Sequence, residues 1–175
     1  MKKILVLLAL ALAVNSLPVA AQQPAEVEIP DLSAYILTPK PAATPRINGA
    51  KVFGLRPGSP CIYTIAATGD RPMTFSAEGL PKGLKLDEKT GRISGTLKKE
   101  GTYHIMLKAT NDKGTYEREL RIVVGDKLAL TPPMGWNSWN CWARDVTQEQ
   151  VLSSARAMVS SGLVNHGWTY INIDD

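Results

Sequence analysis

Residues 128–140 read LALTPPMGWNSWN, and residues 170–175 read YINIDD. Each stretch holds a short apolar run with polar or aromatic side chains just behind it. The first run, 134–136, follows Pro132-Pro133 and has the length of a strand. The second, 168–173, is strand-like and ends on Asp174 and Asp175. Between them, residues 147–161 carry a helical pattern. Thr147 and Gln150 have the spacing of a capping box. Val151, Leu152, Ala155, Met158 and Val159 share one face at 3.6-residue spacing, and Gly162 supplies a C-terminal stop. Strand, helix and strand in this order make a βαβ unit, which needs parallel strands and a right-handed crossover.

Parallel neighbours end on the same side. Asn137 and Trp139, after the first strand, therefore face Asp174 and Asp175, after the second. In β/α barrels that rim is where active sites are built. The indole of Trp139 offers a flat apolar face suited to the C–H side of a sugar ring. Ionised carboxylates accept hydrogen bonds from vicinal hydroxyls, and such bonds are roughly twice as strong as neutral ones. The two aspartates are not expected to be an acid–nucleophile pair. A retaining glycosidase needs carboxyls ~5–5.5 Å apart around the scissile bond, whereas sequence neighbours on a strand point to opposite faces. The competing reading makes Trp136 and Trp139 core aromatics and lets the aspartates cap a following helix.

Upstream, the rhythm is different. From about Arg46 to Val124 short strand-like runs alternate with turn signals. Residues 61–66 follow Pro57-Gly58, and residues 73–76 follow the turn at 69–72. Tyr103, Ile105, Leu107 and Ala109 alternate with polar or exposed partners. So do Tyr116, Leu120, Ile122 and Val124, after a turn at 111–114. Period two means one buried and one wet face. Repeated at this spacing, it argues for an antiparallel sandwich. Arg118 interrupts the apolar face, which a strand-end position or a snorkelling stem would accommodate. His104 falls on the polar face and reads as solvent-exposed. Asp70, Asp87 and Asp112 read as turn formers, and no spacing supports a calcium site.

Two resemblances follow from these strings. GLPKGLKLDEKTGRISGTL at 79–97, with ATNDKG at 109–114, resembles the Ig-like domains of bacterial cell-surface and secreted proteins. That likeness covers roughly 46–124 and implies an accessory module without chemistry. LALTPPMGWNSWN, MVSSGL at 158–163 and YINIDD together resemble the start of glycoside hydrolase family 27, the α-galactosidase (melibiase) family. This likeness covers 128–175, about the first fifth of a barrel domain of ~250 residues. It implies that Trp139 contacts galactose and that Asp174 and Asp175 bind its hydroxyls. It also implies a retaining exo-hydrolase without cofactor or metal, whose nucleophile and acid/base lie on the fourth and sixth strands. Residues 1–175 would then contain no catalytic carboxylate and be inactive alone. Family members often pair a cysteine of the first βα loop with one just after the IDD string, a role Cys141 could fill. The related activities on α-N-acetylgalactosaminide or β-L-arabinopyranoside ends stay open, and so does a non-catalytic, glycan-binding or spacing role for the Ig-like part.

The expected organisation is therefore a signal peptide at 1–21, an extended leader at 22–45, an Ig-like β-sandwich at 46–125, and at 128–175 the first βαβ unit of a truncated (β/α)8 TIM barrel. Residues 1–21 join Lys2 and Lys3 to an apolar run at 4–14, too short for the ~20 residues of a bilayer span. Val19-Ala20-Ala21 offers a cleavage site, so export to a bacterial periplasm or surface is expected. Two lysines and no acids leave with the signal, so the net charge of +4 falls to +2. No basic cluster with interleaved aromatics remains, which speaks against nucleic acid as partner. Once the signal is removed, no membrane partner is expected either. Export permits a Cys61–Cys141 disulfide, yet the two cysteines fall in different predicted domains. The Ig-like part should fold alone. Residues 128–175 should leave two sheet edges and an apolar helix face uncovered, with proteolysis cutting after about Asp126.

Overall fold

The computed structural model describes Asp31, Tyr35 and residues 39–174. The expected signal segment, its cleavage point, most of the leader and Asp175 lie outside the described residues. Among the described residues no helix is long and apolar enough to cross a membrane.

Nine strands build the first domain: β1 (Arg46–Ile47), β2 (Val52–Leu55), β3 (Pro60–Thr64), β4 (Ala67–Thr68), β5 (Thr74–Glu78), β6 (Leu84–Asp87), β7 (Arg92–Thr96), β8 (Gly101–Asn111) and β9 (Gly114–Val124). One sheet has the order β2-β9-β8-β5 and the other β3-β7-β6, while β1 and β4 form a short separate ladder. The alternation read from sequence is what the two long strands use. Ile105, Leu107 and Ala109 of β8 and Leu120, Ile122 and Val124 of β9 are buried. They pack with Cys61, Tyr63, Phe75, Leu84 and Ile93 in one core. Tyr116 departs from the pattern and is exposed, because it sits toward the hairpin tip opposite Ala109.

The sandwich is not wholly antiparallel. β2 pairs with β9 in parallel, Val52 opposite Arg121 and Leu55 opposite Val124. Alternation tells which face of a strand is buried but not which way the strand runs. The pairing is long-range, so no local turn announces it.

The LDEKTG string forms the loop of the β6–β7 hairpin. Asp87 accepts hydrogen bonds from the backbone N–H groups of Lys89 (2.9 Å) and Thr90 (3.1 Å). These bonds, Thr90's first, hold its carboxyl below the ordinary value. Gly91 closes the turn at φ +70°, a conformation that glycine adopts without a Cβ clash. A Cβ at Gly95 would stand 2.0 Å from the Gly83 carbonyl oxygen, so only glycine lets those backbones meet.

Arg118 is neither at a strand end nor snorkelling. It lies within β9, half-buried, and its guanidinium donates to the carbonyls of Ile47 (2.9 Å) and Gly49 (2.7 Å). His104 is exposed as expected, but it pairs with Glu119 across the hairpin. Lys108 reaches both Glu117 (2.8 Å) and Glu78 (2.7 Å), and these bonds push its pKa up. Cys61 and Cys141 are not bridged; both thiols are free. Cys61 sits in the sandwich core, where burial raises its pKa.

The second domain contains β10 (Gly135–Asn137), α1 (Trp139–Trp142), a 3-10 turn at Ala143–Asp145, α2 (Gln148–Ser160), a second 3-10 turn at Leu163–His166, and β11 (Tyr170–Asn172). β10 and β11 are parallel neighbours, as a βαβ unit requires. Thr147 and Gln150 close the predicted capping box at the start of α2, and Gly162 ends it at φ +79°. The apolar face of α2 is largely uncovered. Met158 is buried, whereas Leu152 is 41% and Val159 63% exposed.

Tyr63 gives the sandwich a pH dependence. Its hydroxyl donates to the Ala50 carbonyl (3.1 Å). Burial raises its pKa from 10.0 to about 12, with Arg118 opposing and Tyr170 adding to the rise. The folded state therefore keeps its proton where the unfolded state loses it, and the stability this provides, complete below pH 10, is lost as pH climbs toward about 12. In urea titrations, the stability advantage of wild type over Tyr63→Phe should be about 1 kcal/mol at neutral pH and shrink across that alkaline window. A constant difference would contradict this account.

Candidate functional site at the rim of the parallel strands

Gly135 decides how closely β10 and β11 approach. A Cβ there would lie 2.0 Å from the Tyr170 carbonyl oxygen, so the glycine of the MGWNSW string is required by the pairing. The register then sets Gly135 opposite Tyr170, Trp136 opposite Ile171 and Asn137 opposite Asn172. Both chains leave the sheet at the same end, and the predicted rim forms there.

Asn137 is the centre of that rim. Its amide Nδ2 donates to Asp174 Oδ2 at 3.0 Å. Its Oδ1 accepts the backbone N–H of Trp139 at 2.9 Å. One side chain therefore holds the first residue of α1 and the carboxylate after β11. Ser138 locks the same junction from beneath. It is fully buried, its N–H donates to the Asn172 carbonyl (3.2 Å), and its Oγ accepts the N–H of Asp174 (3.1 Å). The carbonyl of Ser138 accepts the N–H groups of Cys141 (3.1 Å) and Trp142 (3.0 Å), which closes the turn of α1.

The aromatics divide their roles. Trp136 is half-buried and packs on Trp142, with centroids 5.1 Å apart and planes at 59°. Trp139 is 38% exposed and stands at the rim. Asp174 is exposed at the same rim. Asp175, the third predicted site residue, lies outside the described residues. Among the described residues no group of three His, Cys, Asp or Glu side chains could hold a metal ion. A cavity of about 70 Å³ lies elsewhere, on the seam between the domains beside Phe53, Thr131, Met134 and Tyr170.

Sequence reasoning placed Asn137 at the rim but did not see that it joins the two others. It missed Ser138 and α1 altogether, because four residues are too few to show a helical period.

The "Putative Ig domain" family matches residues 44–125. Part of the chain aligns with curated enzymes. A "Probable alpha-galactosidase" of Dictyostelium discoideum is 52% identical over 48 residues, covering 27% of this chain and 12% of that protein. "Alpha-galactosidase A" of Cellvibrio japonicus (strain Ueda107) is 50% identical over 50 residues, covering 29% of this chain and 12% of that one. A solved structure of a "putative alpha-galactosidase" from Bacteroides fragilis NCTC 9343 superposes with a TM-score of 0.74 at 47% identity, over 80% of this chain and 30% of that chain. The chain is similar to part of an α-galactosidase. A second Bacteroides fragilis structure, a "putative alpha-galactosidase/melibiase", gives a TM-score of 0.73 at 51% identity, covering 77% of this chain and 29% of that one. The α-galactosidase-like likeness thus spans both domains, and the resemblance to glycoside hydrolase family 27 holds. The chain spans about an eighth of the length of these curated relatives.

Replacing Asn137 by Ala removes one neutral and one charge-assisted hydrogen bond. At ~1–3 kcal/mol for such bonds, amide exchange at Trp139 should accelerate by about tenfold or more, with the amides of Ile105 and Leu120 unchanged. Unaltered exchange at Trp139 would show that Asn137 does not hold the rim.

Proposed function

We propose that residues 128–175 form the recognition part of an exported α-galactosidase that removes terminal α-linked galactose from oligo- or polysaccharides. One observation carries the reading: Asn137 binds the Asp174 carboxylate and the backbone of Trp139 at once. An apolar ring and a hydroxyl acceptor are thereby fixed on one rim, which is what a hexose with one C–H face and vicinal hydroxyls needs. The likeness to α-galactosidases supports the choice of galactose among hexoses.

In this reading Trp139 packs on the apolar face of galactose, and Asp174 and Asp175 accept its hydroxyl protons. The chemistry belongs to carboxylates on later strands of the longer polypeptide. One attacks the anomeric carbon. A second protonates the leaving oxygen and then activates the water that frees galactose. No cofactor takes part. The segment 1–175 alone is inactive because neither group lies within it.

The test uses the full-length gene product and a chromogenic α-galactoside. Asp174→Ala should lower kcat/KM by roughly 10–150-fold, the equivalent of losing a hydrogen bond to a charged group. Trp139→Ala should raise KM. Full activity in both variants would refute the recognition role. A gene product without later catalytic aspartates would favour a binding module instead.

A further inference from the structure

The Ig-like domain has no chemistry of its own in the reading above, yet its attachment is specific. Every contact it makes with the second domain described below falls at one end of the parallel strands. Asn48 donates through Nδ2 to the Asn165 carbonyl at 2.9 Å. Arg71 donates through Nη2 to Asn165 Oδ1 at 2.9 Å. Thr131 Oγ1 donates to the Val52 carbonyl at 2.9 Å. Residues 163–167 lead into β11, and residues 127–134 lead into β10. This is the N-terminal end of both strands, opposite the rim of Trp139 and Asp174.

Backbone meets backbone at two places on this seam. A Cβ at Gly167 would lie 2.8 Å from the Cα and N of Gly49. A Cβ at Gly54 would lie 2.7 Å from the Lys127 carbonyl oxygen. Such approaches leave no room for a mobile, water-filled linker. Gly49 is itself held from within the sandwich, since Arg118 donates to its carbonyl at 2.7 Å. That gives the misplaced arginine of β9 a purpose: it fixes the segment on which the second domain rests.

We propose that the Ig-like domain is a rigid brace for the first two strands of the barrel. It fixes the entry into β10 and into β11, and so maintains the register that puts Asn137 beside Asp174. Its working surface is the 48–54 segment with Arg71, and its partner is the N-terminal end of the strands, not a glycan. A single superposition on the Bacteroides fragilis structure covers 80% of the chain, more than the Ig-like region supplies alone, so both domains are matched in one placement. The brace replaces the expectation from sequence that residues 128–175 stand uncovered behind a cleavable joint at about Asp126. It does not depend on galactose being the ligand.

The experiment is nuclear magnetic relaxation and amide exchange on this chain. The wild type should show one rotational correlation time for both domains. The double variant Asn48→Ala, Arg71→Met should speed exchange of the Ser138 and Asp174 amides, at the far rim, by about tenfold or more. The amides of Leu107 and Leu120 in the sandwich core should not change. Gly54→Val, a substitution that suits a strand but intrudes on Lys127, should do the same. Two separate correlation times in the wild type would overturn the proposal. So would unchanged exchange at Ser138 and Asp174 in both variants. Because no sugar is used, failure here leaves the galactosidase reading untouched, and the activity assay can fail without affecting the brace.

Discussion

Gly135 and Tyr170 meet backbone to backbone, and the rest of the rim follows from that contact. A side chain at Gly135 would collide with the Tyr170 carbonyl, so the glycine permits the close parallel pair. Register then matters more than sequence distance. In a strand pair a slip of one residue turns every side chain to the other face. Such a slip would take Asn137 from its place opposite Asn172 and part it from Asp174. Ser138 guards against this by bonding to the backbone on both sides of the junction, at Asn172 and Asp174.

A pair of three-residue strands cannot supply this order alone. Each isolated two-stranded unit is marginal in water, and α2 leaves much of its apolar face open. The sandwich provides what is missing. Its core joins both sheets through Ile93, Ile105, Leu107, Leu120 and Ile122. Its 48–54 edge carries the glycine contacts on which the parallel pair sits. Arg118 links the two levels, with one guanidinium nitrogen on Ile47 and another on Gly49. The guanidinium satisfies carbonyls that would otherwise be lost at a domain boundary, where an unpaired buried carbonyl costs about 1–3 kcal/mol.

Much of this was legible from the chain. Period-two alternation found the buried faces of β8 and β9. The capping pair Thr147 and Gln150 marked the start of α2, and the LDEKTG turn marked the β6–β7 hairpin. The strand-end rule for parallel sheets puts Asn137, Trp139, Asp174 and Asp175 on one rim, and the first three, which lie among the described residues, gather there. What stayed hidden was relational. The parallel course of β2 beside β9 leaves no local trace. The role of Arg118 looked like a defect in an apolar stripe, because its partners lie some seventy positions earlier. Ser138 is a small polar residue whose burial follows only from the strands around it. The seam between domains depends on the missing side chains of Gly54 and Gly167, and a glycine reads the same whether it turns the chain or admits a neighbour.

The most direct measurement is a crystal structure of the full-length gene product with galactose bound. The account predicts galactose stacked on the Trp139 indole, with a hydroxyl oxygen at hydrogen-bond distance, about 2.7 Å, from the Asp174 carboxylate, and with Asn137 still bridging the two. Galactose bound elsewhere, or Asp174 turned away from the sugar, would contradict it.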